Sequence, residues 1–212
     1  MYEKIKKIVF DNYKWLLCFG CLILFLVLAE AVFNNEIMKG DVIGYSFIST
    51  YFIHNWLTPI IKVITWFGGA TCLVSLTLIL FFLIKDKKIG LLIGANLVII
   101  TILNQVLKFI LQRPRPTEFR IINETGYSFP SGHSMISMAF YGYIIYLIYK
   151  YVKNKYIKWF SIVLLSILIC SIGISRIYLG VHYTSDVLGG FSISISYLVI
   201  YISAVNKFLI EK

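Results

Sequence analysis

Six apolar stretches constrain this chain before anything else does. Trp15–Phe33, Pro59–Ile84, Ile89–Ile110, His133–Tyr149, Trp159–Ser175 and Ser185–Val205 are of the length that crosses about 30 Å of hydrocarbon as a helix of roughly 20 residues. Hydrocarbon offers no partner to a backbone N–H or C=O, so separate apolar runs of this length satisfy those groups internally, as α-helices. The expectation is an all-α polytopic membrane protein with six transmembrane helices, a single integral-membrane domain over residues 1–212. Composition agrees: 59% hydrophobic against 14% charged residues is far more apolar than one soluble core needs.

The net charge of +10 raises the question of nucleic acid, and the placement of the cations answers it. With six crossings, Lys4, Lys6, Lys7, Lys14, Lys85, Lys87, Lys88, Lys150, Lys153, Lys155, Lys158, Lys207 and Lys212 share one side. The positive-inside preference makes that side the cytoplasm, with both termini in it. Anionic headgroups account for these lysines, and no nucleic-acid partner or obligate protein partner is expected. Lys108, Arg113, Arg115, Arg120 and Arg176 break the pattern by gathering at the extracytoplasmic ends, leaving Lys39 and Lys62 elsewhere. Cations placed against the topological preference point to a task.

Smaller features read as architecture. Ala29-Glu30-Ala31 resembles a signal-peptidase site, but the run before it exceeds the usual 7–15 residues of a signal core, so the first span stays uncleaved. Cys18, Cys21, Cys72 and Cys170 all fall inside spans, so no disulfide or zinc site is expected. Between Asn34 and Leu57, Ile43, Phe47, Ile48, Tyr51 and Phe52 recur at near-helical spacing, which predicts a helix lying in the interface, with His54 and Trp56 as anchors. Gly68-Gly69-Ala70 and Gly189-Gly190 are small-residue patches for close helix approach, and Asn104 and Gln105 should bond to a neighbouring helix.

Three segments at the outer ends carry the chemistry. "KFILQRPRP" places Lys108 about a turn inside the end of span three, while Pro114 and Pro116 stop the helix and let Arg115 fold back over it. "FPSGHS" places Ser131 as an N-cap, with Gly132 and His133 opening span four; a helix N-terminus with a glycine is an anion site. "SRIYLGVHYTSD" sets His182 and Asp186 four apart, so that on a shared helix face the carboxylate holds one imidazole nitrogen's proton while the other faces out, and Arg176 lies one turn of chain away. Each segment alone could be ordinary. Together they bring three cations, two histidines and a helix N-terminus to one depth.

K-x6-R-P (Lys108, Arg115, Pro116), P-S-G-H (Pro130 to His133) and S-R-x5-H-x3-D (Ser175, Arg176, His182, Asp186) resemble the three-part signature of the type 2 phosphatidic acid phosphatase superfamily, matched in order at every position. The resemblance implies a lipid phosphatase in which His182 attacks phosphorus, Asp186 supports it and His133 protonates the departing oxygen. It implies that Lys108, Arg115, Arg176, Ser131 and Gly132 hold the phosphoryl oxygens. Three fixed cations and a helix N-terminus can meet a dianionic phosphate without a metal or cofactor. Arg113 and Arg120 lie outside the signature and receive no catalytic role.

Three rivals are weaker. His133, His182 and Asp186 could ligate zinc, but three nearby cations argue against it. A transporter binding phosphate lipids without cleaving them places its charges near the midplane in broken helices, whereas these sit at span ends. Vanadate-dependent haloperoxidases use a similar anion pocket in soluble proteins. The signature reads a phosphate and not its lipid; an extracytoplasmic site favours undecaprenyl diphosphate or phosphatidylglycerophosphate, with phosphatidic acid also within the superfamily's range.

Overall fold

The computed structural model describes residues 2–34, 37–117 and 120–207, with side chains from Asn12 onward; the side chains of Lys4, Lys6 and Lys7, and Lys212 altogether, lie outside it. Among the described residues the protein is built of eight α-helices: α1 (Tyr2–Phe33), α2 (Lys39–Tyr51), α3 (Thr58–Trp66), α4 (Ala70–Leu83), α5 (Lys87–Leu111), α6 (Gly132–Tyr151), α7 (Lys155–Tyr178) and α8 (Thr184–Val205). Each expected span has a helix, and α1 begins thirteen residues before Trp15. Four of them, α1 from Asn12, α5, α7 and α8, are long and apolar enough on their own to cross a membrane.

The other two expected spans differ in instructive ways. Pro59–Ile84 is not one rod: α3 and α4 meet at 47° across Phe67-Gly68-Gly69, and only as a bent pair do they pass for one span. A Cβ on Gly68 would lie 2.7 Å from Ile172 on α7 and 2.8 Å from Ser137 on α6, so the glycine lets the elbow press into the bundle. The α6 helix, expected as His133–Tyr149, falls short on apolarity because it stands among α5, α7 and α8 rather than facing outward. Apolar side chains are demanded where a helix meets lipid; a helix inside the bundle can bury Ser134, Ser137, Tyr141 and Tyr143 instead.

Helix ends show why the elements begin and stop where they do. Asp86 caps α5 by accepting from Lys88 N at 2.9 Å, and Asn154 caps α7 by accepting from Tyr156 N and Ile157 N. Lys87 Nζ donates to the last carbonyls of α4, at 2.8 Å to Phe81 O. These features lie at the lysine-rich end. At the opposite end, the C-termini of α5 and α7 meet the N-termini of α6 and α8, which brings the three chemical segments together.

A helix does form within the stretch from Asn34 to Leu57, as α2, and it leaves Ile43, Phe47 and Tyr51 exposed while burying Ile48. It also buries Asp41, which periodicity did not single out. His54 leaves its ring stacked near Trp56, and its backbone pairs with Tyr178 Oη. The four cysteines stand free; Cys18 packs against Ser196 on α8.

Candidate active site

A cavity of about 290 Å³ opens among α4, α5, α6 and the loops above them, and Lys108, Arg115, His133, Arg176 and His182 all line it. The structure therefore unites residues that lie up to 74 positions apart in the chain. It also shows what holds each one.

The expectation that Pro114 stops α5 needs refinement. The helix ends earlier, at Leu111, through Gln112 in the left-handed region (φ 43°, ψ 31°), and the prolines then carry the chain across the site. Arg115 returns as expected. Its Nε donates to Gly126 O and its Nη2 to Thr125 O, both at 3.0 Å, while Nη1 donates to Val181 O and stands 3.1 Å from His182 Nε2.

His182 is not on a helix with Asp186. It precedes α8, and Asp186, in the first turn of α8, reaches back to it: Nδ1 lies 3.2 Å from Asp186 Oδ2. The carboxylate also accepts from Tyr183 N at 2.8 Å and from Ser128 Oγ. Burial pulls the His182 imidazole down to about 4, against the opposing pull of Asp186. Nδ1 faces the carboxylate and Nε2 faces the Arg115 guanidinium, a geometry that favours a neutral ring with its proton on Nδ1 and a lone pair on Nε2.

Ser131 occupies the N-cap position of α6, but its side chain makes no capping bond; it is fully buried and accepts from Ser134 Oγ at 2.9 Å. Its backbone N–H is spent on Asp186 O at 3.0 Å, which ties the second segment to the third. Gly132 is a close-approach glycine, since a Cβ there would lie 3.1 Å from Asn104 Oδ1. Asn104 bonds across to Pro130 O and Met135 Sδ as expected, whereas Gln105 lines the cavity. Gly190 lets α8 close on this turn, with Ser131 O 3.1 Å from where its Cβ would be. His133 lies against the α3–α4 elbow, its Nε2 3.9 Å from a Cβ built on Gly69. Lys108 Nζ donates to Tyr127 O and to Ser128 O, leaving a third N–H.

Sequence reasoning missed three charged residues. Arg113, set aside as lying outside the signature, is buried and bridges two carboxylates, with Nη1 2.6 Å from Asp186 Oδ1 and Nη2 2.8 Å from Asp41 Oδ2. Its Cζ lies 4.1 Å from the Tyr183 ring centroid. Asp41 also accepts from Ser185 N at 2.8 Å, so α2 caps α8. Glu124 accepts from Arg176 Nη2 at 2.6 Å, while Arg176 Nη1 donates to Thr65 Oγ1 at 2.8 Å. Burial alone would raise the Glu124 acid; the hydrogen bond and charge of Arg176 outweigh it and hold Glu124 below its ordinary value. A usable signal existed. The chain has only ten acidic residues, and three of them converge here.

Chemically, the site offers a neutral imidazole with a supported proton, a second histidine, and three cations around a space. Among the described residues, no group of three His, Cys, Asp or Glu side chains is placed to hold a metal ion.

The chain is similar to known proteins in sequence and in fold. The model of the PAP2 superfamily matches residues 88–210. Phosphatidylglycerophosphatase B of Bacillus subtilis is 34% identical over 81% of this chain and 86% of its own. Undecaprenyl-diphosphatase of Sulfolobus acidocaldarius is 28% identical over 84% of each chain. The crystal structure of a transmembrane PAP2-type phosphatidylglycerolphosphate phosphatase from Bacillus subtilis superposes with a TM-score of 0.81 at 31% identity, over 90% of this chain and 96% of that one.

Proposed function

The chain belongs to the PAP2 superfamily, and on that footing we propose that it is an integral-membrane lipid phosphatase or diphosphatase working through a phosphohistidine. The observation that carries this reading is a single cavity with cations and two histidines at one end and Leu73, Leu97 and Ile136 along the other. From Lys108 to Leu97 is three turns of α5, about 16 Å at 1.5 Å per residue, so an apolar tail has a path along the helices while its phosphate sits at the charged end.

His182 Nε2 attacks phosphorus in line with the scissile P–O bond. Asp186 holds the Nδ1 proton and stabilises the imidazolium character that develops. Lys108, Arg115 and Arg176, with the Gly132 N–H, take the equatorial oxygens, whose charge grows little but spreads as the bond breaks, whereas the Ser131 hydroxyl, bonded to Ser134, lies outside the cavity lining. His133 gives its proton to the leaving oxygen, releasing the lipid alcohol, or the lipid monophosphate when the substrate is a diphosphate. A water then gives a proton to His133 and attacks the phosphohistidine, returning His182 and inorganic phosphate. The cations supply the charge a metal would bring, so turnover needs no divalent ion. A protein that only binds and carries phosphate lipids has no use for the supported imidazole.

Six crossings complete the reading: α1, the α3–α4 pair, α5, α6, α7 and α8, with both termini cytoplasmic, α2 in the outer interface and the site at the extracytoplasmic face. Phosphatidylglycerophosphate and undecaprenyl diphosphate are the substrates this favours, with phosphatidic acid third. The test is phosphate release from these lipids, side by side, in detergent with EDTA present. Activity lost in His182→Ala supports the reading; loss of wild-type activity in EDTA with rescue by zinc, or no release from any lipid, refutes it.

A further inference from the structure

We infer that Glu124 is a displaceable carboxylate guarding the phosphate site, holding the place on Arg176 that a substrate phosphate takes. The inference rests on the phosphatase reading above. Arg176 is 1% exposed, and its three nitrogens are unequally served. Nη1 donates to Thr65 Oγ1, Nη2 donates to Glu124 Oε1, and Nε is buried with no partner among the described residues. Nε and Nη2 share one edge of the guanidinium, the edge that grips two oxygens of a phosphate or carboxylate at once. Glu124 takes half of that edge and leaves the other half unsatisfied. A pair built for stability would engage both nitrogens, because an orphaned buried N–H bears its desolvation cost with nothing in return. Two phosphate oxygens fill the edge only if Glu124 lets go of Nη2.

The carboxylate has somewhere to go. Glu124 is 30% exposed, on the loop between α5 and α6. It borders the cavity shared by His133 and Arg176 and also an outer hollow with Gln105, Phe109 and Tyr127. Thr65, from α3, keeps Nη1 fixed meanwhile.

Displacement costs the same whatever anion arrives, so it subtracts a constant from every affinity. A terminal phosphate monoester or a diphosphate, strongly held by three cations, still binds. A monoanionic phosphodiester, the linkage of bulk membrane lipid, is held weakly and falls below occupancy, and product phosphate leaves sooner. In a membrane crowded with phosphodiesters, an unguarded pocket would stay blocked. Glu124 thus sets a charge threshold for what occupies the site.

Glu124→Gln keeps the shape and an acceptor for Arg176 while removing the charge. In the detergent-solubilised full chain, orthovanadate and inorganic phosphate should bind roughly tenfold more tightly to E124Q, by thermal shift and by inhibition of lipid-phosphate hydrolysis. Phosphatidylcholine in mixed micelles, inert towards the wild type, should become a competitive inhibitor. Unchanged or weaker anion binding in both E124Q and Glu124→Ala overturns the inference and makes Glu124 a residue that orients Arg176. Thermal shift needs no turnover, so tighter vanadate binding by E124Q in a chain that hydrolyses no lipid phosphate supports this inference and refutes the phosphatase reading alone.

Discussion

Arg115 Nη1 stands 3.1 Å from His182 Nε2. A guanidinium has no acceptor, so the imidazole nitrogen facing it carries a lone pair, and the ring proton is on Nδ1, towards Asp186. Under the proposed mechanism this is the attacking tautomer, and the cation that marks its lone pair is one of the three proposed to hold phosphate. In that mechanism, binding of the phosphate and release of His182 Nε2 are one event.

His182→Ala and His133→Ala should both lose turnover, at different steps. Without His182 no phosphoenzyme should be trapped under any condition. Without His133, an activated aryl phosphate, whose leaving group needs little protonation, should recover part of the first step while lipid substrates stay down by roughly 10²–10⁴-fold. Rapid-quench trapping of labelled phosphoenzyme separates the two; a labelled intermediate in His182→Ala would remove the assigned nucleophile.

Arg113 pairs with Asp186 and is not among the residues that line the cavity, so we expect it to act as a positioning residue. Arg113→Ala leaves the Asp41 and Asp186 carboxylates buried without the cation between them, which should cost about 3–5 kcal/mol and yield little folded protein. Arg113→Lys keeps the charge but cannot bridge both carboxylates; it should fold, lower kcat about tenfold or more, and leave KM near the wild-type value. Asp186→Asn should fold and lose about 10⁴-fold in kcat through the wrong imidazole tautomer. A KM effect of Arg113→Lys without a kcat effect would place Arg113 on the substrate instead.

Burial lowers His182 to about 4 from an ordinary 6.5. The unfolded chain therefore binds a proton that the folded chain refuses between these values, and the stability due to neutral His182 is complete above 6.5 and lost as pH falls towards 4. Its size is on the order of 3 kcal/mol. Melting temperatures of wild type and His182→Asn, measured from pH 4 to 7, should converge or cross as pH falls, because the variant lacks this titration. Parallel curves would show that His182 is protonated without cost in the fold.

Orientation can be read with cysteines placed at Asn123, beside the site, and Asn154, at the lysine-rich end, in a chain lacking its four native cysteines. An impermeant thiol reagent should label the first in intact cells and the second only after lysis. The reverse pattern would turn the site to the cytoplasm and remove the case for an outer-leaflet substrate, leaving the chemistry untouched.

The parts legible in advance are those in which a residue's own neighbours in the chain decide the outcome. Apolar runs call for helices, Asp86 and Asn154 cap helices from within their own segments, and the spacing of Lys108 to Arg115 or His182 to Asp186 is short. Even there, the local guess was incomplete: Asp186 meets His182 by reaching back from the first turn of α8, and Ser131 turns its hydroxyl to Ser134.

Local sequence was enough to call for a bundle of apolar helices, with a second group of basic residues at the ends opposite the lysine clusters, because hydrophobicity and backbone hydrogen bonding are settled within a run of some twenty residues. Which charges line the cavity and which are buried in ion pairs was fixed by packing between distant segments. Arg113 and Arg115 are two residues apart in one RPRP run, yet one is spent on Asp41 and Asp186 and the other turns to His182. Asp41 lies 72 residues from Arg113, and Glu124 lies 52 from Arg176. A charge buried in a bundle must find its partner wherever packing brings one, and the cost of leaving it alone, rather than any local pattern, fixes the pairing.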